Sequence, residues 1–241
     1  MWLYSDKRVV LDLADQPVFV SSNLPLVDDM IKLGVPELSL INWAADFIHE
    51  GKIFVDIGAN IGSWSVMLGR KGKQGVAFEA MPTCCEYLDL NLQLNKVRHL
   101  VTPHPVGIGS PEQAATEKHT ALAWDPKGGG LMQDRDLFAK LQGGTVRDWT
   151  TEVEMTIHTL DSYQLENVGL IKIDIEGNEL NAILGADDTI ARCKPFMMFE
   201  AWPWEWYDTN RKRLFNYVSS LGYRVLPING YEQMWLAEPM P

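Results

Sequence analysis

The stretch Ile53-Phe54-Val55-Asp56-Ile57-Gly58-Ala59-Asn60-Ile61-Gly62 limits the fold of this chain more than any other. A short, apolar-rich run reads as a buried strand, the glycines turn the chain, and Ile61, Trp64 and Leu68 then recur at helical spacing. A strand that turns straight into a helix is the first half of a parallel βαβ unit. The rhythm repeats. Residues 75–79 read as a second strand, and Pro82 precedes a helix with a capping-box pattern, Thr83-Cys84-Cys85-Glu86, that continues through Tyr87, Leu88, Leu90 and Leu94 to Asn95. Residues 100–108 supply a third strand, and 154–158, 170–175 and 195–200 supply further ones. Residues 223–228 and 232–238 flank Asn229-Gly230, a tight-hairpin signal, so the sheet is predicted to end in an antiparallel pair. The expected fold class is α/β, Rossmann-like, seven-stranded and mostly parallel, with a C-terminal antiparallel hairpin.

Ahead of this core, residues 8–20 alternate apolar and polar around a turn at Asp15-Gln16-Pro17, which predicts a small hairpin. From Pro36, the residues Leu40, Trp43, Ala44, Phe47 and Ile48 predict a helix closed by Gly51. The chain therefore divides into an N-terminal extension, 1–50, and a main domain, 51–241. Within the latter, residues 110–150, with Gly128-Gly129-Gly130 and Gly143-Gly144, read as a loop insertion and candidate lid.

Gly58, Ala59, Asn60 and Gly62 stand where a buried strand becomes a helix, so backbone can approach a ligand and amides at the helix start can face it. Asp56 at the strand end can accept from an amine or hydroxyl. Glu79 closes the next strand 21 residues after Gly58, where a carboxylate holds the paired hydroxyls of a ribose, with Ala80 beside it. A nucleoside ligand follows. The G-x-G-x-x-G of dinucleotide sites is missing, and the acidic surroundings suit an amino group and a sulfonium better than a pyrophosphate.

The second unusual stretch is Ile171-Lys172-Ile173-Asp174-Ile175-Glu176-Gly177-Asn178-Glu179. Asp174 and Glu176, two apart at a strand end, would face one side, either as a base of raised pKa or as joint ligands of a divalent cation, Mg²⁺ or Mn²⁺. Either carboxylate could instead cap the following helix. Lys172 could point into the same cleft. Glu200 ends another strand of the sheet and should reach it too. His158, also at a strand end, is a further candidate base, with His104 and His119 less well placed. Trp202 and Trp204 either line an acceptor pocket or pack the C-terminal helix. Cys84 and Cys85 read as helix packing, and Lys118 with His119 as a solvated face or a contact for an anionic acceptor.

Composition narrows the partners. Lys+Arg 21 against Asp+Glu 32 leaves a net charge of −11, and no basic stripe offsets it, so nucleic acid is not expected. No apolar run nears the roughly 20 residues of a membrane span, and Asp6, Lys7 and Arg8 stand where a secretory signal would be apolar. Three cysteines, two of them adjacent, do not make a disulfide framework. The expectation is a cytoplasmic protein with a small-molecule partner, no membrane and no nucleic acid. Its N-terminal hairpin would either make a homodimer contact or cover the cleft.

Residues 54–62, Phe78-Glu79-Ala80-Met81-Pro82, Leu90-Asn91-Leu92-Gln93-Leu94-Asn95, Thr159-Leu160-Asp161 and 171–179, continued by Leu184-Gly185-Ala186 and 195–200, resemble the FkbM-type methyltransferases. The likeness covers about residues 50–202. One departure is Glu79-Ala80-Met81-Pro82, where that family commonly has Glu-Pro. The resemblance implies the seven-stranded methyltransferase sheet and an S-adenosyl-L-methionine-dependent O-methyltransferase acting on a hydroxyl of a sugar, glycan or related small molecule. On that reading Asp56, Gly58, Ala59, Asn60, Gly62, Glu79, Ala80 and Asp174 bind the cofactor. Asp174 sits nearest the transferring methyl as base or metal ligand, assisted by Glu176 or Glu200, with His158 as the other candidate base. The alternative is a non-catalytic nucleoside-binding or scaffold protein of the same fold.

Overall fold

The structure, a computed structural model, describes residues 2–5, 8–12, 17–21, 24–116, 119–123, 131–132, 135–141 and 151–241. Its centre is a seven-stranded sheet. In sequence order the strands are β4 (Ile53–Ile57), β5 (Gln74–Phe78), β6 (Val101–His104), β12 (Val168–Ile173), β13 (Phe196–Glu200), β14 (Tyr223–Ile228) and β15 (Tyr231–Pro239). They lie side by side as β14-β15-β13-β12-β4-β5-β6. The five strands from β13 to β6 run parallel, and β15 enters antiparallel to both β13 and β14. The expected fold class holds, down to the closing hairpin. The chain reverses between β4 and β12, its central neighbours, so the carboxyl ends of these strands form the crevice in which such sheets bind ligands.

Burial of all of β12 and of Phe54 through Ile57 explains their continuous apolar character, because helices cover both faces. On one face lie α2 (Leu38–Ala44), α3 (Ser63–Arg70) and α4 (Pro82–Leu94), whose Leu40, Trp64 and Leu88 share a core with Phe54 and Leu170. On the other, α7 (Glu179–Leu184), α8 (Asp187–Cys193) and α9 (Asp208–Ser220) pack Ile183, Ile190 and Leu214 against Val55 and Ile171. Alternation along β4 and β12 thus puts Asp56 and Lys172 on the first face, beneath α3.

The N-terminal residues form a three-stranded antiparallel sheet, β1 (Trp2–Ser5), β2 (Arg8–Asp12) and β3 (Val18–Ser21), followed by α1 (Leu24–Leu33). The expected pairing across 8–20 is present and gains a strand; Asp15 and Gln16 of its turn lie outside the described residues. The edge of β3 is satisfied by side chains. Asn91 on α4 accepts from the Val20 N–H at 2.7 Å and donates to its carbonyl, and Asn95 one turn later does the same for Val18. Two asparagines at i and i+4 imitate a neighbouring strand, which prevents the edge from recruiting another chain.

Four local expectations need correction. The helix α4 begins at Pro82, with Met81 as its uncapped N-cap, so Thr83 lies inside the first turn and no capping box forms. The third strand stops at His104, where the Val106 amide turns back to the His104 carbonyl; Gly107–Ile108 is a separate strand, β7. Residues 154–158 split at Thr156 into β10 (Thr151–Met155) and β11 (Ile157–His158), the latter parallel to β7. Lastly, 110–150 is not simply a loop. It holds α5 (Pro111–Ala114), β8 (His119–Ala123), β9 (Leu131–Met132) and α6 (Arg135–Leu141), and β8 pairs antiparallel with β9 and with β10 beyond the insertion. Strands this short carry too few residues for a readable alternation. Lys118 and the two glycine clusters lie outside the described residues.

Candidate active site

Beyond the carboxyl ends of β4, β5 and β12 the chain encloses one cleft. Gly58, Ala59, Asn60, Glu79, Ala80, Asp174 and Glu176 all line it, so the structure brings these candidates together. Gly58 is required by packing. It adopts φ +78°, and a Cβ there would lie 1.9 Å from the Asp174 carbonyl oxygen. The glycine lets the loop after β4 touch the end of β12, so the glycine loop and the acidic turn are built against each other.

Four of the loop's amides are engaged within the protein. Those of Gly58 and Ala59 donate to the Phe78 carbonyl at 2.9 and 3.0 Å, that of Asn60 to Glu79 Oε2 at 2.7 Å, and that of Gly62 to the Ala59 carbonyl at 2.8 Å. The amides of Gly58, Ala59, Asn60 and Gly62 therefore do not face a ligand, whereas Ile61, Ser63 and Trp64 at the helix start line the cleft. Gly62 does not line the cleft. At φ +96° it makes room for Leu88, whose Cδ1 would lie 2.8 Å from an added Cβ.

Glu79 is locked from both sides, since Met81 N–H donates to Oε1 at 2.7 Å while Asn60 holds Oε2. Here the additional Ala80-Met81 has a use: it swings the Met81 amide back onto the carboxylate. Each oxygen retains acceptor capacity for a hydroxyl. Burial raises its pKa, against the lowering effect of the two amides. Cys84 borders the cleft and Cys85 donates to the Glu79 carbonyl, and burial pushes the Cys85 thiol up to about 12, which leaves it unreactive.

Asp56 is fully buried and absent from the lining. It accepts from Ser65 Oγ at 2.6 Å and stands 3.4 Å from Lys172 Nζ, so its place is under the cleft, not in contact with a ligand. Lys172 does reach the cleft, where it donates to the Gly58 carbonyl at 2.9 Å and stands 3.6 Å from Asp174 Oδ2. Burial alone would lower its pKa, but Asp174, Asp56 and Glu37 reverse the effect and hold it above its ordinary value.

The acidic turn differs from the expected strand end. The strand β12 stops at Ile173, and Glu176 lies in a turn at φ +55°, so its alignment with Asp174 does not come from strand alternation. Glu179 shapes this turn by accepting from the Ile175 and Gly177 amides. Burial, and then Asp174 and Glu179, lift Glu176 to about 8, while burial lifts Glu179 to about 7 against its backbone bonds. Glu200 sits behind this group, outside the cleft lining, with Oε2 buried and without a hydrogen bond; burial, Asp174 and Glu176 raise it to about 10. Burial and the neighbouring carboxylates therefore favour the protonated forms of Glu176 and Glu200. Among the described residues no group of three His, Cys, Asp or Glu side chains is placed to hold a metal ion, so nothing here supports the expected Mg²⁺ or Mn²⁺.

His158 is drawn elsewhere. Its Nδ1 is 2.9 Å from Tyr163 Oη, in an aromatic group with Phe78 and His104, and it does not line the cleft. Trp202 is buried against Tyr207, while Trp204 and Trp206 stack on one another at 5.2 Å and remain partly exposed. Neither ring borders the cleft. Two groups that sequence reading missed do: Leu26, Pro36 and Glu37 from the N-terminal extension, and Met155 with Ile157 from the strands after the insertion. Glu37 follows a helix-opening proline, and nothing in the local sequence separates it from an ordinary first-turn acid.

Two curated proteins are similar in sequence. Methyltransferase 1 of Beauveria bassiana (strain ARSEF 2860) is 26% identical over 155 residues, 58% of this chain and 60% of that one. Methyltransferase sdnD of Sordaria araneosa is 26% identical over 184 residues, 64% and 68% of the respective chains. The chain thus spans less than two thirds of the first relative's length. Among solved structures, Methyltransferase FkbM from Methylobacillus flagellatus shares the fold, with a TM-score of 0.50 at 16% identity over 88% of this chain and 60% of that one. Residues 56–225 match the Methyltransferase FkbM domain, from the buried aspartate of β4 into the closing hairpin. With the match covering well over half its length, the chain belongs to the FkbM methyltransferase domain family.

Proposed function

We propose that the protein is an S-adenosyl-L-methionine-dependent O-methyltransferase that methylates a hydroxyl of a sugar, glycan or related small molecule. The observation that carries this reading is Glu79, held by two backbone amides in a cleft that Asp174 also lines. The residues fit the donor: Glu79 would hold the ribose hydroxyls, and Phe78, Ala80 and Ile108 offer apolar surface to the adenine. Glu37, Glu79 and Asp174 favour a cationic ligand. When bound, the donor supplies an electrophilic methyl on a positive sulfur.

The rest falls to the chain. Asp174, partly exposed at the cleft, takes the proton from the acceptor hydroxyl as that oxygen attacks. Lys172 beneath it steers the carboxylate, and Asp56 anchors Lys172. Glu176 and Glu200, kept protonated, add hydrogen-bonding capacity without further charge beside the base. Calorimetric titration tests the first half of the reading: S-adenosylhomocysteine binds and NAD does not. A glycan and small-molecule panel with isotope-labelled methyl donor tests the second, label appearing on a hydroxyl; label on nitrogen or carbon alone would overturn the O-methyl assignment.

A further inference from the structure

Glu37 lies ahead of the family domain's residues 56–225, on the segment between α1 and α2, yet its side chain borders the cleft. The position is costly to build. Glu37 adopts φ +55° as the N-cap of α2 without capping the helix through its side chain. Its carboxylate turns instead to α3, where the Trp64 indole N–H donates to Oε2 at 2.8 Å. Among the described residues no donor engages Oε1.

The charge around it is lopsided. Lys172 is the one cationic side chain among the described residues lining the cleft, and Asp56, Asp174 and the Gly58 carbonyl already occupy it. Glu37, Glu79 and Asp174 leave the cleft short of positive charge. Burial raises the pKa of Glu37, with Lys172 and the Trp64 bond acting against the rise. A ligand cation brought against such a carboxylate relieves that cost, whereas a ligand anion would add to it.

We infer that Glu37 binds the α-ammonium group of the donor's amino-acid end, so that the N-terminal extension completes the donor site. The inference rests on the reading that the cleft holds S-adenosyl-L-methionine. With the ribose on Glu79 and the sulfonium toward Asp174, the amino-acid end extends along the side that Glu37 shares with Trp64. Glu37 shares the cleft lining with Trp64, Lys172 and Asp174, and its carboxylate feels the charges of Lys172 and Asp174. Charge-assisted bonds of this kind discriminate by roughly tenfold or more.

The test pairs a ligand series with a variant, both read by calorimetry on the full chain. S-adenosylhomocysteine carries the ammonium, its deamino analogue lacks only that group, and 5′-methylthioadenosine lacks the whole amino-acid end. The expected result is that the deamino analogue binds the unaltered protein about tenfold more weakly than S-adenosylhomocysteine. In Glu37→Gln this gap closes, because S-adenosylhomocysteine loses the same factor while 5′-methylthioadenosine binds as before. Equal binding of S-adenosylhomocysteine and its deamino analogue to the unaltered protein would overturn the inference even if the variant failed to fold. So would an equal loss for 5′-methylthioadenosine in the variant. Failure of the unaltered protein to bind any of the three would overturn the reading of the cleft itself, and the role of Glu37 with it.

Discussion

Asp56 and Lys172 face each other in register on the adjacent parallel strands β4 and β12, both almost wholly buried, with Lys172 Nζ 3.4 Å from Asp56 Oδ1. The pair lies directly under the cleft. Lys172 spans it, from Asp56 in the core to the Gly58 carbonyl and Asp174 at the surface of the site. The aspartate that sequence reading assigned to ligand contact instead sets the position of the lysine that steers the candidate base.

Removing one member of a buried pair strands the other. Lys172→Met should cost about 3–5 kcal/mol of unfolding free energy, measured by urea denaturation, because Asp56 is left without its cation. Combining it with Asp56→Leu should recover a large part of the loss. A double variant no more stable than the single one would show that the pairing is not what matters.

Asp174→Asn should lower turnover by about 10²–10⁴-fold while S-adenosylhomocysteine affinity changes only a few-fold, since an amide keeps the shape and cannot accept the proton. Parallel losses in both would move Asp174 from proton transfer to binding.

Glu79→Gln puts an NH₂ opposite one of two backbone amides, Asn60 or Met81, and so breaks the lock. S-adenosylhomocysteine should bind about 10–100-fold more weakly by calorimetry. Unaltered affinity would remove the ribose role.

The raised carboxyl of Glu200 sets a pH dependence of stability. An unfolded glutamate titrates near 4.5 and Glu200 in the fold near about 10, so the folded state retains a proton that the unfolded chain releases. Its contribution is complete below the unfolded value and is lost as pH rises through that window. Glu200→Gln removes the titration with little change of shape. The variant should melt close to the unaltered protein at about pH 5 and progressively above it toward about pH 9. A gap independent of pH would rule out Glu200 as its origin.

Asn91→Ala exposes the β3 edge. The Val20 N–H and carbonyl and the Ile61 carbonyl lose their partner, which should cost about 2–4 kcal/mol as a shifted urea midpoint with an unchanged slope. A variant as stable as the unaltered protein would show that water replaces the amide at no cost.

Local chemistry made much of this chain readable. A strand buried on both faces has to be apolar throughout, a glycine turn has to precede a helix, and Asn229-Gly230 has to reverse the chain, so the central sheet and its closing hairpin followed from short-range rules. The same rules brought the glycine loop and Glu79 to one cleft, their spacing being set by one strand and one helix. They failed where position depends on distant partners. Asp56 looks from its neighbours like a strand-end ligand, but Ser65 on α3 and Lys172, more than a hundred residues away, hold it in the core. The strands within 110–150 exist because β8 finds β10 across the insertion, not because either is strongly patterned. His158 turns to Tyr163 rather than to the cleft, and Glu37 reaches the cleft from a segment with no motif of its own. Periodicity reports which side of an element is buried. What is buried against it, and therefore which carboxylate meets a ligand and which meets a lysine, was settled only when the strands and helices packed.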